Sequence, residues 1–225
     1  MRQLIEFLLS DAGQRLIQNV IAIVAIIFAL RGVRNWNRER RDLRRAELAE
    51  QAIALGYKAR DAFSAVRSPI GFGGEGSSRK QEDNESDSLK RARDRAYTPI
   101  ERLKYVSAVF DEVQSARYSV TAAFGEKYSL PLLEFLKVRN EIVAVAHTKY
   151  MMAEDITYGE RRDQSFDRKF EGTIWEGVSK PDAIKERLDA AVEKLENEFR
   201  QYVEARFTVS PILWWWKWPW RKRRH

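Results

Sequence analysis

Leu16 to Leu30 reads LIQNVIAIVAIIFAL, fifteen residues without a charge. A bilayer core of roughly 30 Å takes about 20 helical residues. Extended from Ala12 to Val33 the run reaches that length, provided Arg15 and Arg31 snorkel to the two interfaces. Ile, Val, Ala and Phe dominate it and no proline interrupts it. A run this short also suits a buried core helix. A cleaved leader would want a small-x-small site, but Ala29-Leu30-Arg31 and further arginines follow instead. The expectation is an N-terminal segment and a retained transmembrane helix over residues 1–33.

The flanks orient it. Arg31, Arg34, Arg38, Arg40, Arg41, Arg44 and Arg45 lie on the C-terminal side, against Arg2 and Arg15 on the other. Positive charge stays cytoplasmic, so the N-terminus is expected outside and the rest of the chain in the cytoplasm, under a bacterial inner membrane. The net charge of +7 is accounted for by this juxtamembrane stretch and by Lys217, Arg221, Lys222, Arg223 and Arg224 near the end. What lies between is mildly acidic, which argues against nucleic acid as a partner. The chain has no cysteine, so it has no disulfide framework, thiolate metal site or cysteine nucleophile.

Beyond the span the apolar spacing is helical throughout, and no period-two alternation marks a strand. A basic juxtamembrane segment and helix cover 34–66, with Leu48, Ala52, Leu55, Ala59, Phe63 and Val66 on one face and Ser68-Pro69 as the stop. Gly71 to Ser88 reads GFGGEGSSRKQEDNESDS, so 67–88 is expected to be a flexible linker. Its glycines lack the Lys-Ser/Thr ending of a phosphate-binding loop. Leu103, Val106, Phe110, Val113, Arg117, Val120 and Phe124 form a heptad-like seam, a coiled-coil pattern that favours homo-oligomerisation along with Asn19 of the span.

Gly125 marks a helix stop, and five residues separate that helix from one running from Leu130 to about Ala153. Residues 155–180 are expected as a short helix or packed loop. Ser179-x-x-Asp182 resembles a capping box before a last helix carrying Ile184, Leu188, Val192, Leu195, Phe199 and Tyr202. Residues 89–209, with the helix of 34–66, therefore read as an all-α antiparallel bundle of about four long helices. An even number returns the chain to the bilayer.

The tail, 210–225, agrees with that return. It holds Trp214, Trp215, Trp216, Lys217, Trp218 and Trp220, then Arg221, Lys222, Arg223 and Arg224. Tryptophan favours the headgroup region and lysine and arginine an anionic leaflet. The segment is similar to the short Trp-rich cationic membrane peptides of the indolicidin type, a resemblance that implies binding at the bilayer interface. Aromatic and basic residues together also suit single-stranded nucleic acid.

Catalytic chemistry finds few residues. His147 is the one internal histidine, placed beside Val143 and Tyr150 on or next to an apolar face, where it reads as a boundary residue. Arg139-Asn140 and His147 resemble the Arg-polar…His motif of HEPN-domain ribonucleases, which implies action on an RNA backbone. Seven residues separate Arg139 from His147, longer than the family spacing. On a regular helix that puts the two about 12 Å apart and about 80° round the axis. No metal-ligand spacing, GxSxG or cofactor motif is present. An enzyme is not expected. The chain reads as a membrane-anchored, non-enzymatic interaction module with an unknown cytoplasmic protein partner. A membrane effector or accessory protein of a bacterial stress or phage-defence system fits that architecture.

Overall fold

The computed structural model describes residues 11–154 and 164–208, and the side chains of 18–154 and 168–204. It contains α1 (Asp11–Val66), α2 (Asp87–Tyr105), α3 (Ser107–Phe124), α4 (Glu126–Met151), α5 (Gln164–Ile174) and α6 (Ala183–Thr208), and no strand among the described residues. The chain divides into two compact units, Met1–Arg44 and Arg45–His225. In the first unit the described backbone is helix throughout.

The second unit is built on α4, which packs against α2, α3, α5 and α6. Leu132, Phe135, Leu136, Val138 and Ile142 of α4 are buried with Phe110, Val113 and Val120 of α3 and Leu188, Val192, Leu195 and Phe199 of α6. The final turns of α1 close the core through Ala52, Ala59, Phe63 and Val66. Leu48 and Leu55, expected on this face, are half-buried at its flank, while Ala49 and Gly56 take the central row. A Cβ on Gly56 would stand 2.7 Å from Leu195 Cδ1, so this glycine sets how closely α1 approaches α6. A smaller cluster joins Ala146 of α4 to Ile174, the last residue of α5, and to Trp175.

The heptad-like seam is split at Val106 into α2 and α3. A one-residue break leaves the 103–106–110–113 spacing intact, so the pattern alone reads as continuous. Only Gly125 separates α3 from α4, instead of five residues. Its φ of 99° lies where a side chain is disfavoured, and its N–H closes α3 on Thr121 O at 2.9 Å. The helix therefore starts a full turn before Pro131, which sits inside it at the cost of one backbone bond. The cap of α6 is Asp182 itself, which accepts from Lys185 N–H at 3.1 Å. Ser179 lies instead against Gly172.

Residues 67–86 carry no regular element, yet part of the stretch is buried. Arg79 is 5% exposed, bonded through Nε to Asp94 at 2.6 Å and through both terminal nitrogens to Glu85. Arg93 donates to the same Glu85 at 2.6 Å. Gly76 has φ 81°, donates to the buried Glu101 carboxylate, and a Cβ there would lie 1.9 Å from Asp94 O. Polar composition suggested a linker because apolar burial was wanting. Buried ion pairs and one close glycine contact hold the segment against α2 instead.

Candidate functional site

On α1, every large apolar side chain between Val20 and Val33 stands 43–67% exposed. The helix is long and apolar enough to cross a membrane, with a mean hydropathy of 1.4 over its best window and none of that window buried. Apolar side chains of this size lose water only against lipid or another protein.

The composition changes past Leu30. Arg31, Arg34, Arg38 and Arg41 recur at three- and four-residue steps and so share one face of the helix, all exposed. Val33, Trp36, Arg40 and Leu43 occupy the other side, and the Arg40 guanidinium lies 4.6 Å from the Trp36 ring centre. Arg41 Nε donates to Asn37 O at 3.2 Å. This segment thus carries a cationic stripe and a mixed aromatic–apolar face. The helix leaves nothing buried between them.

The tail residues Trp214, Trp215, Trp216, Lys217, Trp218, Trp220, Arg221, Lys222, Arg223 and Arg224 lie outside the described residues.

Arg139 and His147 are both on α4. The Arg139 guanidinium lies 5.8 Å from the Phe110 ring centre of α3 and bonds Asn140 Oδ1 at 3.2 Å. His147 is exposed, and Val143 beside it is also exposed, so the histidine stands off the apolar face rather than on its boundary. The buried stripe of α4 here is Ile142 and Ala146, so His147 sits beside it on the exposed side.

The polar chemistry of the interior is concentrated in three arginines that sequence patterning passed over. Arg67, 1% exposed, donates to Gly172 O at 2.8 Å and Thr173 O at 3.0 Å, and pairs with Asp182 at 2.9 Å. It thereby satisfies the orphan carbonyls ending α5 and bonds the cap residue of α6. Arg102 does the same for the end of α1, donating to Val66 O at 3.3 Å, Ser68 O at 2.7 Å and Ile70 O at 2.8 Å, with Glu75 Oε2 at 2.6 Å. Cations are favoured at these C-terminal ends by the helix dipole.

Their carboxylate partners respond. The bond from Arg79 holds Glu85 down at about 2, against burial, with Arg93 assisting. Burial alone would push the Asp182 carboxyl up; Lys185 N–H, the Arg67 guanidinium and Gly177 N–H together outweigh it and leave it below its ordinary value. The Arg102 guanidinium lowers Glu75. These arrangements neutralise charge inside the fold, which is a structural use. The one signal of them in the sequence was arginine beside Ser-Pro at Arg67, which does not by itself distinguish a buried cap from a solvated side chain.

Among the described residues no group of three His, Cys, Asp or Glu side chains is placed to hold a metal ion. The chain matches no protein-family model, and neither curated proteins nor solved structures give a match.

Proposed function

We propose that this chain is a single-span membrane-anchored helical module that acts by binding rather than by catalysis. The observation that carries the reading is the exposed apolar run of α1 followed at once by the stripe Arg31, Arg34, Arg38 and Arg41. In this reading the run lies in the hydrocarbon core and the arginines sit at the anionic cytoplasmic surface of a bacterial inner membrane. The N-terminus is then outside. The Trp/Arg tail makes a second contact with the same leaflet, and the acidic helical body binds a cytoplasmic protein or another copy. A role as effector or accessory in a stress or defence response fits such an architecture by analogy only.

The test is fractionation of the full chain with a reporter at its C-terminus. Expected are retention in membranes through alkaline extraction and a C-terminal fusion active as a cytoplasmic fluorescent protein but inactive as a periplasmic phosphatase. Release by alkaline extraction, or an active phosphatase, overturns the reading.

A further inference from the structure

One cavity of the helical body has chemistry left over after its structural contacts are counted. It has a volume of about 380 Å³ and lies between α2 and the glycine-rich segment. Arg91, Arg95, Thr98 and Arg102 line it from α2, at four-, three- and four-residue steps that put them on one face. Arg102 is consumed by Glu75 and the end of α1. The two carboxylates of the lining are consumed as well, Glu75 by Arg102 and Asp94 by Arg79.

Arg91 and Arg95 remain, one turn and about 6 Å apart along the axis. Arg91 is exposed and makes no hydrogen bond or ion pair among the described residues. Arg95 is 71% exposed, stands over the Trp175 ring at 5.9 Å, and reaches a carboxylate only at Glu171, 3.7 Å away. Gly71 and Gly74 also line the cavity, and their N–H groups have no acceptor among the described residues. Phe72 between them also lines the cavity and is 78% exposed.

Two guanidiniums and free backbone N–H groups suit the oxygens of a phosphate better than a carboxylate, which offers only two. A bare phosphate would leave the Phe72 ring in water. A phosphate ester bearing a planar ring would cover it by stacking. We propose that this cavity binds a nucleoside phosphate, its phosphate between Arg91 and Arg95 and its base against Phe72. The proposal is independent of the membrane reading.

The test is calorimetric titration of the purified full chain in detergent with AMP, adenosine and inorganic phosphate. AMP is expected to saturate one site and to bind about tenfold or more tighter than either fragment. Arg91→Ala and Arg95→Ala should each weaken AMP about tenfold or more, and Phe72→Ala should remove the advantage of AMP over phosphate. All three are exposed, so melting temperature should not move, which separates lost binding from lost folding. Unsaturable AMP binding overturns the proposal. So does AMP affinity that is unchanged in the arginine variants, as a basic tail acting alone would give. Phosphate binding as tightly as AMP in the unaltered chain does the same.

Discussion

The Arg67 guanidinium and the Asp182 carboxylate meet at 2.9 Å with both side chains nearly excluded from water, at 2% and 9% exposure. They are 115 residues apart in sequence. Arg67 follows the last residue of α1 and Asp182 caps α6, while the carbonyls ending α5 bond the same guanidinium. One ion pair thereby joins three helix ends. Such a pair contributes little net stability relative to an apolar replacement, but breaking it leaves an uncompensated buried charge.

Arg67→Ala and Asp182→Ala are therefore each expected to cost about 3–5 kcal/mol. The double variant should cost clearly less than the sum, because neither charge is then left alone. Denaturant unfolding of the four proteins in detergent measures the coupling. Additive losses would mean the two residues act separately.

Gly76 is where the backbone of the 67–86 segment presses against the backbone of α2. A Cβ there meets Asp94 backbone, which has no flexible end to move aside, at a φ that also disfavours any side chain. Gly76→Ala should cost about 2 kcal/mol or more and free the segment around Arg79. Trypsin should then cut at Arg79 or Lys80 under conditions that leave the unaltered chain whole. Equal cleavage of both proteins would refute the attachment.

The helical class was legible because the spacings of Leu103–Phe124 and Ile184–Tyr202 are periodic over several turns. The linker reading left out the buried anchor of 67–88 for a physical reason. Apolar content measures hydrophobic burial, whereas Gly71–Ser88 is held by Arg79, Glu85 and Asp94, whose types look the same whether solvated or paired. His147 directly follows Ala146 of the buried stripe of α4, and its exposure was not readable because the spacing puts it beside that stripe without fixing whether it faces water. The apolar run of α1 and the arginines after it were readable directly, but that its side chains are unburied was not, since the same run also suits a buried core helix. The candidate cavity was not readable, because Arg91 and Phe72 come together only through the fold of the segment between them.

The pH dependence follows from Glu85. Its folded value of about 2 lies below the ordinary 4.5, so its carboxylate favours the folded state. That stabilisation is complete above about 4.5 and is lost as pH falls from there toward 2. Unfolding followed from pH 6 to pH 2 should show a decline over this window. Glu85→Gln should be less stable at pH 6 and show a shallower decline. Parallel profiles would assign the acid sensitivity to other carboxylates.

Arg139 and His147 separate binding from ribonuclease chemistry. His147→Ala should change stability by no more than about 0.5 kcal/mol, as for an exposed position. Arg139→Ala should lose about 0.5–1 kcal/mol with its contact to Phe110. If expression of the chain alters growth, neither variant should abolish the effect. Abolition by both, with folding intact, would favour RNA cleavage and sink the non-enzymatic reading.

The membrane reading makes the most demanding prediction, because it fixes both insertion and direction. Ile23 is near the middle of 12–33 and 57% exposed, so nothing in the fold depends on its apolar character. Lysine at the centre of a span opposes insertion by about 2.5–3.5 kcal/mol, whereas leucine favours it. Ile23→Lys should therefore move the chain toward the alkaline-extractable fraction, and Ile23→Leu should leave it in the membrane. Direction depends on other residues. Replacing Arg31, Arg34, Arg38 and Arg41 with glutamine removes positive charge from one flank without adding an acid, and the bias responds to lysine and arginine. This variant should stay in the membrane but give a mixed orientation, seen as new activity of a C-terminal phosphatase fusion. Retention of the lysine variant, with the glutamine variant unchanged in direction, would mean that another protein covers the apolar face of α1.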